Sequence, residues 1–357
     1  MRFAIDFTPH RWSTAGDAFE TTQRVVDRAV TAEAAGFDAV WVSEDPDAWD
    51  AAAMLAAISA RTTRIGLTTG VVNPFYRHPA QIASMIATLD RLSGGRFRLG
   101  IGRGQPEWYG RALGIDVERP LARLRETISL LRQWEAPGWR ASADGPLVIS
   151  DWVRSFGPVS PHVPILIAAA GPRAIALAGE LADGVIFNDL TATPVMAETI
   201  AAARAAAVAA GRDPGALKFI ARPVITVASD PEPLLQRMKE RLAIVNTLPG
   251  MDRLIRVPGF DVEAIMAEVR RVMRTDEVLA QGGGFPELRA AADYPAVHRI
   301  IPTELVDELA MIGPVARIAE KLQYLAQLGI DEVVLRRADL PVAGEWATFL
   351  QQWRRNG

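Results

Sequence analysis

Residues 64–105 read RIGLTTGVVNPFYRHPAQIASMIATLDRLSGGRFRLGIGRGQ. Two short apolar runs, 65–69 and 97–101, have the length and composition of strands. Between them, residues 79–92 place Ile82, Met85, Ile86 and Leu89 on one helical face. A strand, a helix and a strand at this spacing call for a crossover, and hence for parallel strands. Each strand runs into polar and glycine-rich residues: Gly70-Val71-Val72-Asn73-Pro74 after the first, Gly102-Arg103-Gly104-Gln105 after the second. Parallel α/β folds bind ligands at the carboxyl ends of their strands. These two exits are therefore the first candidates for a site.

The same unit recurs along the chain. Strands are expected at 2–7, 38–43, 65–69, 97–101, 164–168, 185–187, 219–228 and 331–335. Helices are expected at 17–35, 49–60, 79–92, from about 116 to 134, at 171–182, 194–210, 313–328 and 346–354. Eight strands alternating with helices predict an α/β fold, a (β/α)8 TIM barrel forming one domain over residues 1–357. A doubly wound open sheet is the alternative, because periodicity does not show whether a sheet closes. Two stretches are longer than an ordinary connection. Residues 135–163 are dense in proline, glycine and serine and read as an insertion, possible as a hairpin, with 147–149 as its strand-like run. Residues 230–312 break into several helical pieces and read as an excursion near the ligand-binding face.

Composition narrows the function classes. The chain has 357 residues, 49% of them hydrophobic and 23% charged, enough for a large core. A net charge of −3 with no long basic run argues against nucleic-acid binding. The absence of cysteine excludes disulfides and thiolate chemistry. The four histidines are scattered, with no H-E-x-x-H spacing, so no metal site is expected. No apolar run approaches the ~20 residues that span a bilayer. The opening MRFAIDF reads as a strand, so a soluble cytoplasmic protein is expected. Lysine occurs only at Lys218, Lys239 and Lys321, leaving arginine as the main cation and bidentate anion binder.

Four constellations could carry chemistry. Gly100-Ile101-Gly102-Arg103-Gly104 follows a strand but lacks the full G-x-G-x-x-G, since Gln105 and Pro106 come next. A tight strand exit, bare enough for a flat ring to approach, fits better than a dinucleotide loop. Ala168 to Arg173 joins a strand to a helix start. Its N–H groups could bind a phosphate, or it could be an ordinary turn. Asn73 opens a loop rich in aromatic and polar residues, in which His78 is suited to capping the helix that begins at Pro79. Glu44 and Asp45 follow the second strand, with Asp47, Trp49 and Asp50 nearby. Clustered carboxylates can act as acid or base, or can simply be solvated or cap the next helix.

Three segments carry a resemblance: TGVVNPFYRHPAQIASMIATLDRLSGGRFRLGIGRGQ, AAAGPRAIALAGELADGVI and GIDEVVLR. Through them the chain resembles the bacterial-luciferase-like family of flavin- and deazaflavin-dependent oxidoreductases. It is most similar to the methylenetetrahydromethanopterin reductase-like subgroup, which uses coenzyme F420. The resemblance implies a (β/α)8 barrel and a cofactor at its mouth. It implies a non-prolyl cis peptide at Gly70–Val71 backing the ring, with Asn73 beside it. Gly102, Arg103, Gly104 and Gln105 would line the pocket. Ala169, Ala170, Gly171, Pro172 and Arg173 would bind the cofactor phosphate.

Relatives that dehydrogenate sugar phosphates carry Asp-His after the second strand and Glu after the fourth. Here those positions are Glu44-Asp45 and Gln105. The departure disfavours that dehydrogenation and leaves reduction of a C=C, C=N or C=O group, with Glu44 or Asp45 as proton donor. Arg77, Arg103, Arg222 and Arg336 lie at or near strand exits and could meet an anionic cofactor tail or substrate. The alternatives are an FMN-dependent monooxygenase and a cofactor-less binding or partner subunit. The resemblance also implies a homodimer acting on a small molecule.

Overall fold

In the computed structural model, residues 1–7, 18–44, 49–104, 113–115, 117–335 and 345–356 are described. Asp45, Gln105, Trp108 and Arg336 lie outside them. Eight parallel strands close into a barrel: β1 (Arg2–Asp6), β2 (Ala39–Val42), β3 (Gly66–Thr69), β4 (Phe97–Ile101), β7 (Ile165–Ala168), β8 (Gly184–Ile186), β9 (Lys218–Ala221) and β12 (Glu332–Leu335). The last pairs with the first, Arg2 opposite Glu332, which closes the ring. The expected TIM barrel is the observed fold, and the open sheet is excluded.

Alternation along each strand sorts the side chains between two cores. Ala4, Ala39, Trp41, Leu166, Ile186, Ile220 and Val334 pack together inside the barrel. Phe3, Ile5, Val40, Val42, Leu67 and Leu99 belong to the larger core between strands and helices. That outer core is covered by α1 (Ala18–Ala35), α2 (Ala51–Ser59), α3 (Pro79–Ser93), α4 (Pro120–Glu135), α5 (Pro172–Leu181), α6 (Thr193–Ala209) and, late in the chain, α13 (Val315–Leu328) and α14 (Glu345–Asn356). The apolar stripe of α3 is the expected one: Ile82, Met85, Ile86 and Leu89 are buried. Its ends are also legible, with His78 at the N-cap, Pro79 at the first turn and left-handed Gly94 at the C-cap. Helix α14 seals β1, with Phe349 and Trp353 edge-on to Phe3 at 5.9 and 5.4 Å.

The expected strand 219–228 is two strands. Residues 218–221 stay in the barrel, whereas β10 (Ile225–Val227) leaves it and pairs with β11 (Met311–Gly313). Pro223 lies between the two pieces. It has no N–H to give to a barrel ladder. Met311–Gly313, expected as the approach to a helix, is the partner strand.

Residues 140–153 form an antiparallel hairpin, β5 (Arg140–Asp144) with β6 (Val148–Val153). Between β10 and β11 lie α7 (Glu232–Val245), a 3-10 turn (Asp252–Ile255), α8 (Val262–Val272), α9 (Thr275–Ala280), α10 (Phe285–Ala291), α11 (Tyr294–Ile300) and α12 (Thr303–Leu309). These helices bury a separate core that includes Leu242, Met266, Val269, Val297 and Leu305. Leu190, Ala192 and Val195, which follow β8, join that core, and the Ala192 N–H donates to Leu254 O at 2.8 Å. The excursion is thereby anchored at the carboxyl end of the barrel.

Candidate active site

The interior of the barrel is polar along one line. At the floor, Glu332 is 1% exposed, yet it accepts from Trp41 Nε1 at 2.8 Å and Arg98 at 2.9 Å. Arg2 adds a contact at 3.6 Å. Burial opposes ionisation of this carboxyl, but Arg98, Arg2 and the Trp41 N–H together hold it below the usual glutamate range. The Trp41 ring lies between two guanidiniums, Arg98 at 5.7 Å and Arg222 at 5.9 Å from its centroid. At the mouth, fully buried Asp6 pairs with Arg222.

The two strand exits first singled out meet at this mouth. The Gly70–Val71 peptide is cis. The Gly70 N–H donates to Val42 O at 2.8 Å, and its carbonyl accepts from Ser43 Oγ at 2.8 Å and Arg222 Nη1 at 2.9 Å. The Val72 N–H donates to Gly100 O, and the Gly102 N–H to Val72 O. Asn73, 3% exposed, donates from Nδ2 to Arg103 O at 2.7 Å and accepts from the Phe75 N–H at 2.8 Å. Asn73 thus ties one exit to the other. A Cβ on Gly70 would lie 2.7 Å from Trp41 Cε3. One on Gly102 would lie 3.0 Å from Ala168 Cβ and 3.1 Å from the Val71 side chain. Glycine is what lets these backbones pass so close.

The phosphate candidates form a helix start as expected. Gly171 is the N-cap of α5 with no side-chain cap, and Pro172 occupies the first turn. Arg173 is exposed. Sequence reasoning missed a second cation. Arg253, on the 3-10 turn, places Nη2 3.0 Å from where a Gly171 Cβ would sit. Its Nε is buried and makes no hydrogen bond within the described residues. Nothing in the sequence near Arg253 signals this, because it reaches the loop from 82 positions away (253 minus 171).

Three expected groups are engaged differently from the sequence reading, and His78 is engaged as expected. Glu44 accepts from Arg77 at 2.5, 2.8 and 3.1 Å, which occupies both carboxylate oxygens. Both of its oxygens thus serve as acceptors for one guanidinium. Arg77 also binds Asp50, the N-cap of α2, so it is a structural clamp and not a free anion binder. Arg222 is likewise committed, to Asp6 and to Gly70 O. His78 caps its helix, accepting from the Ala80 N–H at 3.2 Å. Asp6 and Ser43 are the other contributors that sequence reasoning passed over. Their signal was alternation: both occupy inward positions at the ends of their strands.

Comparison with known proteins defines the class. Residues 1–332 match the family model described as luciferase-like monooxygenase. The chain is 30% identical to 5,10-methylenetetrahydromethanopterin reductase of Archaeoglobus fulgidus over 338 residues, 94% of this chain and 92% of that protein. This chain belongs to the luciferase-like monooxygenase family. It is also 37% identical to the F420-dependent hydroxymycolic acid dehydrogenase of Mycobacterium tuberculosis, over 55% of this chain and 57% of that one. The fold is shared with the coenzyme F420-dependent tetrahydromethanopterin reductase of Methanopyrus kandleri. The TM-score is 0.68 at 20% identity, covering 97% and 95% of the two chains. No helix among the described residues is long and apolar enough to cross a membrane.

Proposed function

We propose that this protein is a coenzyme F420-dependent oxidoreductase that reduces a C=C, C=N or C=O group of a small organic substrate. The observation that carries the reading is the convergence of the two strand exits on one bare floor. Gly70 packs on the Trp41 side chain and Gly102 on those of Ala168 and Val71, each too close to admit a side chain of its own, and Asn73 binds the two exits together. A flat ring of the deazaflavin type fits such a floor. Two relatives that are F420 enzymes by description, or act on methylenetetrahydromethanopterin, support the choice.

The residues fit the rest of such a cofactor as well. Arg253 sets an unbonded, buried Nε beside Gly171, and the α5 N-terminus presents its first N–H groups to the same place. Ala169, Ala170, Gly171, Pro172 and Arg173, with Arg253, would hold an anionic tail. Gly70, Val71, Asn73, Gly102, Arg103, Gly104 and Gln105 would hold the ring. When bound, the deazaflavin supplies the hydride, and the protein supplies orientation, exclusion of water and a proton. Of the two carboxyls after β2, Glu44 has both oxygens taken up by Arg77, so we assign the proton donor to Asp45. Glu44 then positions Arg77 and the loop around it.

An FMN-dependent monooxygenase is the second reading, favoured by the family model's own description. Titration with each cofactor separates the two. Quenching of F420 fluorescence with no FMN binding supports the first, and the converse supports the second. A homodimer and a cytoplasmic location belong to the same proposal. Trp152 and Val153 on the hairpin, 59% and 47% exposed, offer apolar surface that a second copy could cover.

A further inference from the structure

We propose that Arg222 is a positioning residue for the ring-backing loop: with Ser43 it fixes the Gly70 carbonyl from beneath. Asp6 in turn holds Arg222. The inference rests on the deazaflavin reading above and goes beyond it by naming what presets the floor.

The Gly70 carbonyl ends β3 and begins the loop to Asn73. A carbonyl oxygen has two lone-pair directions. Here one donor comes from each side: Ser43 Oγ at 2.8 Å, just past β2, and Arg222 Nη1 at 2.9 Å, just past β9. Neither donor is free to drift. Ser43 is 8% exposed and follows a strand whose four residues are all buried. Arg222 is held by two neighbours. Its other terminal nitrogen binds Asp6, a fully buried side chain at the end of β1. Its Cζ lies 5.9 Å from the centroid of the Trp41 ring. Trp41 is pinned from below by Glu332.

Contacts therefore run unbroken from the barrel floor to one carbonyl oxygen. That oxygen lies in the peptide plane shared with Val71. Fixing it fixes how the plane is presented upward, before any ligand arrives. A preset floor spares a ligand the cost of ordering it. This differs from a buried ion pair that serves stability alone, which would have no reason to aim its second nitrogen at the loop.

Two donors on one acceptor make a specific claim. Either can hold the carbonyl when the other is lost, so their effects must be coupled. The test uses the full-length protein with Ser43→Ala, Arg222→Lys, Arg222→Gln and the Ser43→Ala/Arg222→Gln double variant. The dissociation constant for F420 is read by quenching of its fluorescence, and the melting temperature is read without cofactor. Ser43→Ala is expected to weaken F420 binding about threefold and Arg222→Gln about tenfold, with the double variant about 300-fold weaker, well beyond the product of the two. Arg222→Lys, which keeps charge and donor, should stay within about threefold of wild type.

The proposal is overturned if the single effects simply multiply, or if F420 binding stays at the wild-type value while only melting temperatures fall. Should Arg222→Gln fail to fold, Ser43→Ala/Asp6→Asn measures the same coupling, because Asp6 is what holds Arg222 toward the carbonyl. A wild-type protein that binds FMN and not F420 overturns the deazaflavin reading alone, and the same variants titrated with FMN then decide on Arg222. A wild type that binds neither overturns both.

Discussion

Arg77 grips Glu44 through two nitrogens, at 2.5 and 2.8 Å, and reaches Asp50 with the same Nη2 at 2.5 Å. The Glu44 side chain is 8% exposed and the Arg77 side chain 23%. The hydrogen bond that Arg77 donates to Glu44 raises the Arg77 pKa above its ordinary value, against the burial that would lower it. Substrate reduction needs a proton donor, and both Glu44 oxygens are already acceptors for Arg77.

Glu44→Gln should therefore retain turnover, whereas Asp45→Asn should lose it at saturating F420H2. The loss is expected to be about a hundredfold or more, the usual weight of a positioned proton donor. Steady-state oxidation of F420H2 against a panel of enones, imines and ketones reads both. Equal losses in the two variants would return the donor role to Glu44.

Glu332 predicts an acid-dependent loss of stability. Its folded pKa lies below the ordinary glutamate value of 4.5, despite burial, because Arg98, Arg2 and Trp41 favour the anion. The unfolded chain thus takes up its proton at higher pH than the folded one. The stability this provides is complete above about pH 4.5 and drains away as pH falls through the folded pKa. Glu332→Gln should melt well below wild type at pH 7, and the gap should close toward pH 3. Arg98→Met, which strands a buried anion, should cost about 3–5 kcal/mol at pH 7 in urea unfolding.

Arg253 predicts an effect on binding without one on folding. Arg253→Ala should weaken F420 about fivefold to tenfold, the weight of one charge-assisted contact. The cofactor-free melting temperature should be unchanged, because Nε makes no hydrogen bond within the described residues. Added salt should narrow the gap between variant and wild type.

Much of this was legible in the chain and some was not, for physical reasons. The alternating β/α order followed from apolar runs of strand length between helical stripes, whereas closure of the sheet did not. Both signals are local: the α3 stripe, the His78-Pro79 start and the Gly94 stop can each be read within a turn or two. Contacts between distant residues left no such mark. Trp41 and Glu332 are 291 positions apart, and Arg222 and Asp6 are 216 apart. Arg222 could be placed near a strand exit, but only closure of the ring shows that it points across to Gly70. The pairing of 225–227 with 311–313 was hidden in the same way, although Pro223 was a visible reason to end the strand.

The central claim is a deazaflavin site built on Gly70, Asn73 and Gly102. The direct measurement is titration of the purified protein with F420 and, separately, FMN, following the fluorescence of each. The account predicts saturable quenching of F420 in the micromolar range or tighter, weakened by Gly102→Val, and no saturable response from FMN. Tight FMN binding with no response from F420 would contradict it.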